Sequence, residues 1–368
     1  MSVTDSDDVA GARRGTGRGS VAAGATTDER RDRTALVTGA YGFMGQKLCR
    51  RLVAAGWDVR ATDLSSAADG SLESDHIEFV PGDLTDPDSL GPAVEGVDDV
   101  FHTAALFSYS SQIPWEDFEA INVDGTRNLL DALSGESIDR FVHWSTGGVY
   151  GPPQDDRLPI TEDHPKNPES NYDRSKWLQE QVVREYHEQA DIPAVVLRPS
   201  PVYGPGNTYG IAQLWIAIAR GYLQLFPAYC DYRLPLVHAT DVIETSVHLA
   251  DEGEVGAAYN VVDDQEYEMR EVVSFVAEVV DSHVYELPFG NRTYEALNAL
   301  RRFVPAIERR YHAAGEDPPF ERDALFYLKG NYWLSNERLR ETGYEPLYPD
   351  YRVGVLETID WYRQEGML

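Results

Sequence analysis

From residue 34 onward, short runs of β-branched and aromatic residues alternate with stretches in which apolar positions return every three or four residues. The runs are TALVT, DVRATD, IEFV, DDVFHTA, RFVHWS and PAVVLRP, and FMGQKLCRRLVAAG is the first helical stretch between them. Strands separated by crossover helices imply a parallel sheet covered on both faces. The predicted fold class is therefore α/β, with a doubly wound parallel sheet. NVDGTRNLLDAL, from Asn122 to Leu133, reads as one crossover helix, and Asn171 to Gln189 as another, with Leu178, Val182 and Tyr186 at helical spacing.

Past Pro199 the pattern becomes mixed, with aromatic loops and apolar helices such as YGIAQLWIAIARGYL. This divides the chain into residues 34–200, a cofactor-binding sheet, and 201–368, mainly a smaller mixed lobe that returns some strands and helices to the sheet. Within that lobe Tyr294, Leu297, Leu300, Val304, Ile307 and Tyr311 predict an amphipathic packing helix interrupted at Pro305. Residues 1–33 are rich in Gly, Ser, Ala and Asp and lack any periodicity, so they read as a disordered tail.

Charge narrows the partners. The formal net charge is -30, from 62 acids against 32 lysines and arginines, which repels phosphate backbones and anionic lipid heads. Nucleic acid is excluded as a partner, and no apolar run is long enough to insert in a bilayer. The few lysines, Lys47, Lys166, Lys176 and Lys329, and the excess of acids resemble the cytoplasmic proteins of salt-loving organisms. Two cysteines, Cys49 and Cys230, are too few for a disulfide framework or a thiolate metal site, which favours a reducing, cytoplasmic compartment. No metal is expected.

TALVTGAYGFMGQKL places Gly39, Gly42 and Gly45 between the first strand and the first helix. Such glycines let the chain turn tightly and bring backbone N–H groups up to a pyrophosphate. The next strand ends at Asp63, whose carboxylate suits the ribose hydroxyls of NAD and repels a 2′-phosphate; a strand-end turn is its structural alternative. NAD is thus favoured, with Arg60 and Ser65 near enough to leave NADP open. Asp83 suits either the adenine amine or a helix cap. His102 to Ala105, HTAA, ends the fourth strand with small residues against which a dinucleotide can lie, His102 itself being packed or on the ribose side.

NYDRSKW sets Tyr172 and Lys176 four residues apart, on one face of a predicted helix. An adjacent ammonium favours the phenolate and fits the tyrosine to act as a general base. Alone, this spacing also describes a solvated helix face. Together with the glycine turn and the strand-end hydroxyls Ser145 and Thr146, it resembles the short-chain dehydrogenase/reductase superfamily, in its extended branch of epimerases, dehydratases and hydroxysteroid-type dehydrogenases. NVDGT at 122–126, RPSPVYGPG at 198–206 and LVHATDV at 236–242 extend the resemblance from about Thr34 to the C-terminus.

The resemblance implies a Rossmann-type sheet and a set of roles. Thr146 would hydrogen-bond the substrate oxygen, Tyr172 would exchange its proton, Lys176 would lower the phenol pKa and hold the nicotinamide ribose, and Asn122 would support them. Cofactor contacts would add Phe43, Met44, Leu84, Ala104, Ala105 and Pro199 to the glycines and Asp63. Phe107, Ser145, Tyr203 and His238 would meet a small-molecule substrate. Family members commonly form homodimers.

Sugar-nucleotide dehydratases of this branch follow the threonine with an acid pair; here Gly147 and Gly148 stand there, which disfavours water elimination. Epimerases usually carry two polar anchors at positions that here hold Pro201 and Leu234, with Arg233 one place off. ALFSYSS at 105–111, Trp115, LQLFPAYC at 223–230 and an insertion from Asn291 to Leu328 make the substrate side apolar and lean toward the hydroxysteroid dehydrogenases. The leading reading is an NAD-dependent oxidoreductase interconverting a secondary alcohol and a ketone. A nucleotide-sugar epimerase is the alternative, and a non-catalytic dinucleotide-binding redox sensor is more distant.

Overall fold

A computed structural model describes residues 33–151, 157–227, 233–287, 303–314 and 331–368. Seven strands form one sheet: β1 (Thr34–Thr38), β2 (Asp58–Thr62), β3 (Ile77–Phe79), β4 (Asp99–His102), β5 (Arg140–Trp144), β6 (Ala194–Pro199) and β7 (Ala258–Val261). Their order is β7-β6-β5-β4-β1-β2-β3, every pair parallel. Six of them are the apolar runs seen in the sequence. The seventh, AYNV, comes from beyond residue 200 and adds to the outer edge of β6.

The faces follow the two-residue period of a strand. Ala35 and Val37 pack with Leu48, Cys49 and Leu52 of helix α1 (Phe43–Ala55) and with Val242 and Val247 of the helix Ala239–Glu252. Leu36 points the other way, into a layer with Leu129, Leu130, Val182 and Val183. A separate core in the C-terminal half gathers Trp215, Ile218, Leu234, Val272, Val276, Tyr351 and Ile359. Strand β1 lies between β2 and β4, and Thr38 stands in register with both Thr62 and His102. Connections leave in opposite directions there, which opens a crevice at the carboxyl ends of β1 and β4.

One helical prediction changes. The crossover helix begins at Trp115, not at Asn122, and Glu119–Asp124 is a π-helical turn before the regular segment Gly125–Ala132. Trp115 is held at that start by the Arg174 guanidinium, 4.0 Å above its ring centroid. In the C-terminal insertion Val304–Ala313 is helical with Pro305 in its first turn, where its missing N–H costs nothing. Tyr294, Leu297 and Leu300 lie outside the described residues, as do residues 1–32, Cys230 and Lys329. Among the described residues no helix is long and apolar enough to cross a membrane.

Candidate active site

The glycine turn is set by contacts that leave no room for side chains. Gly39 has φ +67°, and a Cβ there would lie 2.8 Å from Ala104 Cα at the end of β4. A Cβ on Gly45 would fall 2.1 Å from Gly39 O, so the first turn of α1 rests directly on the loop. Gly42 ends this loop as the N-cap of α1, without a side-chain cap, and the first turn of the helix carries no acid. Free N–H groups at the positive end of a thirteen-residue helix form an anion cradle. The dinucleotide pyrophosphate fits it.

Asp63 terminates β2 and ties the cradle together: its Oδ2 accepts from Tyr41 N–H at 3.0 Å and its Oδ1 from Leu64 N–H at 2.8 Å. Arg60 is engaged with Glu78 at 3.2 Å and with the Glu95 carbonyl at 2.6 Å, which turns its charge away from this corner. Asp83 does not cap a helix, since Asp86 is the N-cap of the turn Pro87–Ser89; its Oδ1 accepts from both N–H and hydroxyl of Thr85 in a local turn. Leu84 packs against Gly125, where a Cβ would come within 2.8 Å of it. Ala104 N–H donates to Thr38 Oγ1 at 3.2 Å, stitching the ends of β1 and β4 together with Ala105 next in line. His102 is fully buried between Thr38 Oγ1 and Thr126 Oγ1 at 2.8 and 2.9 Å, and burial drives its pKa down to about 3. It is a packed, neutral ring. Phe43, half-buried, lies under Lys47 Nζ at 5.4 Å; Met44 packs on the first core, and Pro199 ends β6 in the interior with its carbonyl toward Gly147.

Ser170 caps the helix Asn171–Ala190, its hydroxyl accepting from Asp173 N–H at 2.9 Å. That start places Tyr172 in the first turn and Lys176 one turn on. Lys176 is 2% exposed, and burial pulls its pKa down to about 7 against the opposing pull of Glu180. Its charge in turn helps to hold His102 and His143 neutral. Asp173, next to Tyr172, lies so close to Gly148 that a Cβ there would be 2.0 Å from Asp173 Oδ1. The helix start therefore touches the turn that carries Thr146. Thr146 caps that turn, its Oγ1 accepting from Gly148 N–H at 3.1 Å, and remains half-buried.

Asn122 sits on the π turn, fully buried, and clamps the segment after β4: its Oδ1 accepts from Leu106 N–H at 2.6 Å, while Nδ2 donates to Leu106 O at 3.1 Å and Ser175 Oγ at 2.8 Å. A widened turn at a functional position is where π-helix is usually found. The clamped segment delivers Phe107 and Tyr109 to the tyrosine. Their rings meet the Tyr172 ring edge-on at 4.8 and 5.7 Å, with Tyr209 at 6.3 Å from Phe107. Phe107 and Tyr209 are 42% and 54% exposed, so this aromatic wall opens to solvent. The insertion helix closes on its outer side, Glu308 accepting from Ser111 N–H and Oγ.

Three expected substrate contacts are enclosed. Ser145 donates its hydroxyl to Glu180 inside the protein. Tyr203 is fully buried in the C-terminal core, stacked near Trp215, and His238 is buried under Tyr348, its Nδ1 accepting from Thr240 N–H. Each of these side chains is engaged within the protein. Leu234 likewise belongs to the core, while Arg233 pairs with Glu266 at 2.8 Å and lies over Trp333. Sequence reasoning also passed over Glu180 and Arg198, a buried bidentate pair at 2.7 and 3.0 Å.

A model of the NAD dependent epimerase/dehydratase family matches residues 35–262. This chain belongs to that family. It is 34% identical over 346 residues to the UDP-glucose 4-epimerase of Mycolicibacterium smegmatis, covering 90% of this chain and 99% of that protein. To the 3 beta-hydroxysteroid dehydrogenase/Delta 5-->4-isomerase of Mycobacterium tuberculosis it is 28% identical over 348 residues, 89% of this chain and 90% of the other. The fold is shared with the Thermus thermophilus UDP-glucose 4-epimerase crystallised with NAD, at a TM-score of 0.69 and 23% identity over 90% of this chain and 99% of that one. As an epimerase/dehydratase family member the chain is an NAD-dependent enzyme, an oxidoreductase or an epimerase, and its cofactor is NAD.

Proposed function

We propose that the enzyme is an oxidoreductase interconverting a secondary alcohol and a ketone on a bulky, weakly polar substrate. The observation that carries this reading is the aromatic wall: Phe107 and Tyr109 flank the Tyr172 ring, and Phe107 and Tyr209 stay exposed beside it. Rings at the reacting phenol suit an apolar skeleton better than a sugar. At the two places where relatives anchor a nucleotide diphosphate, this chain has Pro201 and a buried Leu234, and the neighbouring Arg233 is occupied by Glu266.

NAD would rest with its pyrophosphate on Gly39, Gly42 and the start of α1 and its adenosine ribose at Asp63; bound there, it supplies the hydride acceptor or donor. The protein supplies the rest. Thr146 hydrogen-bonds and orients the substrate oxygen. Tyr172 takes the hydroxyl proton as a phenolate in oxidation and returns it in reduction. Lys176 stabilises that phenolate by its charge, and Asn122 holds the Leu106–Phe107 segment against the helix. Gly147 and Gly148 add neither acid nor base.

Incubating the protein with NAD and a panel of bulky secondary alcohols, and following the reduced-nicotinamide absorbance, tests the proposal: accumulation is expected. Epimerase action, favoured by the 34% identity to a UDP-glucose 4-epimerase, would instead convert a nucleotide sugar with no net reduced cofactor. We further take the enzyme as cytoplasmic and adapted to high salt, on its charge of -30; its melting temperature should rise with KCl, and full stability in dilute buffer would refute the adaptation.

A further inference from the structure

Behind the reacting groups lies a buried polar network. Glu180 is two helical turns beyond Tyr172 and one beyond Lys176, with its side chain 5% exposed. Arg198 of β6 grips both carboxylate oxygens, Nε to Oε1 at 3.0 Å and Nη2 to Oε2 at 2.7 Å. The same guanidinium donates to Tyr150 Oη at 2.9 Å and to the Glu162 carbonyl at 3.0 Å, so it has no freedom to turn away. Oε1 also accepts from Ser145 Oγ, and Ser145 N–H is held by Leu197 O at 2.7 Å. Ser145 is thus fixed by its backbone and its side chain, and the next residue is Thr146.

We propose that Glu180 is a positioning residue for proton transfer, orienting Thr146 through Ser145 and keeping the Lys176 ammonium charged. The proposal rests on the roles given above to Thr146, Tyr172 and Lys176. The Lys176 charge interacts with Glu180, one turn along its own helix, with His102 on β4 and with His143 on β5, and Tyr172 lies one turn back on that helix. Burial keeps both histidines neutral, so among the described residues Glu180 alone opposes the loss of the ammonium proton. A charge four residues along the same helix face acts on the lysine without touching substrate.

The sign of the effect is fixed. Removing the carboxylate lowers the Lys176 pKa below its present value, so the ammonium is lost at lower pH as pH rises. In Glu180→Gln the alkaline limb of kcat/KM should move toward acid by about one pH unit, giving ~10-fold lower activity above the limb and a deficit that shrinks at lower pH. A purely structural role would depress activity equally at every pH. Because this variant leaves the buried Arg198 charge uncompensated, the pair Glu180→Gln/Arg198→Gln is measured beside it, and losing both opposite charges should displace the limb less than losing the carboxylate alone. Ser145→Ala keeps the carboxylate and cuts the tie to Thr146: kcat should fall roughly 3- to 10-fold with the limb and the KM for NAD unmoved.

A folded Glu180→Gln variant with the wild-type limb, or one displaced no more than the double variant, would overturn the proposal. Should Glu180→Gln not fold, Ser145→Ala decides, and full kcat in that variant overturns it. Tyr172→Phe is assayed in parallel, so the two levels separate. If it retains turnover, the reading of the site fails; if it is inactive while the limb stays put, only the role of Glu180 fails.

Discussion

On one side of Tyr172 the protein offers backbone, and on the other it offers rings. At the ends of β1 and β4 the contacts are Gly39 against Ala104, Gly45 against the Gly39 carbonyl, and Thr38 bridging the two strands. Nothing there is long enough to change rotamer. On the proposed substrate side, Phe107, Tyr109 and Tyr209 come from two distant segments, with a helix from a third fastened behind them through Glu308. A surface of main chain and glycine suits one invariant ligand, whereas a surface of side chains on loops is free to change its ligand. On the function proposed above, the difference teaches where specificity would reside: the dinucleotide would be recognised by shape and helix polarity, the substrate by exchangeable aromatic area.

That contrast is open to attack at several points. The largest effect belongs to the group shared by both sides: Tyr172→Phe should lower turnover by ~10²–10⁴ while NAD affinity, measured by fluorescence titration, stays unchanged. Next is Gly45→Val on the backbone side. Its side chain must displace the Gly39 carbonyl, and overpacking of about 1–3 kcal/mol should weaken NAD binding roughly 10- to 100-fold by calorimetry, leaving no reserve for a repacked alternative. On the ring side, Phe107→Ala removes half-exposed area and should raise KM for a bulky alcohol about 3- to 10-fold, with little change for a small one. An equal effect on both substrates would break the comparison. The smallest change is Asp63→Asn, expected to narrow the preference for NAD over NADP by only a few-fold, since its hydrogen bonds to the loop survive in part.

The backbone side is also the part that the sequence carries openly. Glycine at a position that tolerates no Cβ, followed by an uncapped helix and a strand ending in Asp63, leaves a local signature within about thirty residues. Tyr172 and Lys176 are local too, fixed by one helix. The ring side is not local: Phe107 meets Tyr209 only because two connections converge, and no periodicity announces that. Ser145 shows the same limit. A hydroxyl beside Thr146 suits either substrate or a buried acid, and the choice depends on Glu180, whose own signal was faint: an acid at helical spacing from Lys176, and an arginine inside the apolar strand AVVLRP. Tyr203 and His238 mislead for a related reason, since a motif near a site in sequence packs beneath it in space.

Gly148 guards the start of the Tyr172 helix. An acid placed there would meet the Asp173 carboxylate, and to make room Asp173 would have to turn away from Ser170, whose hydroxyl caps that helix, so the same substitution would set two like charges together and loosen the helix start.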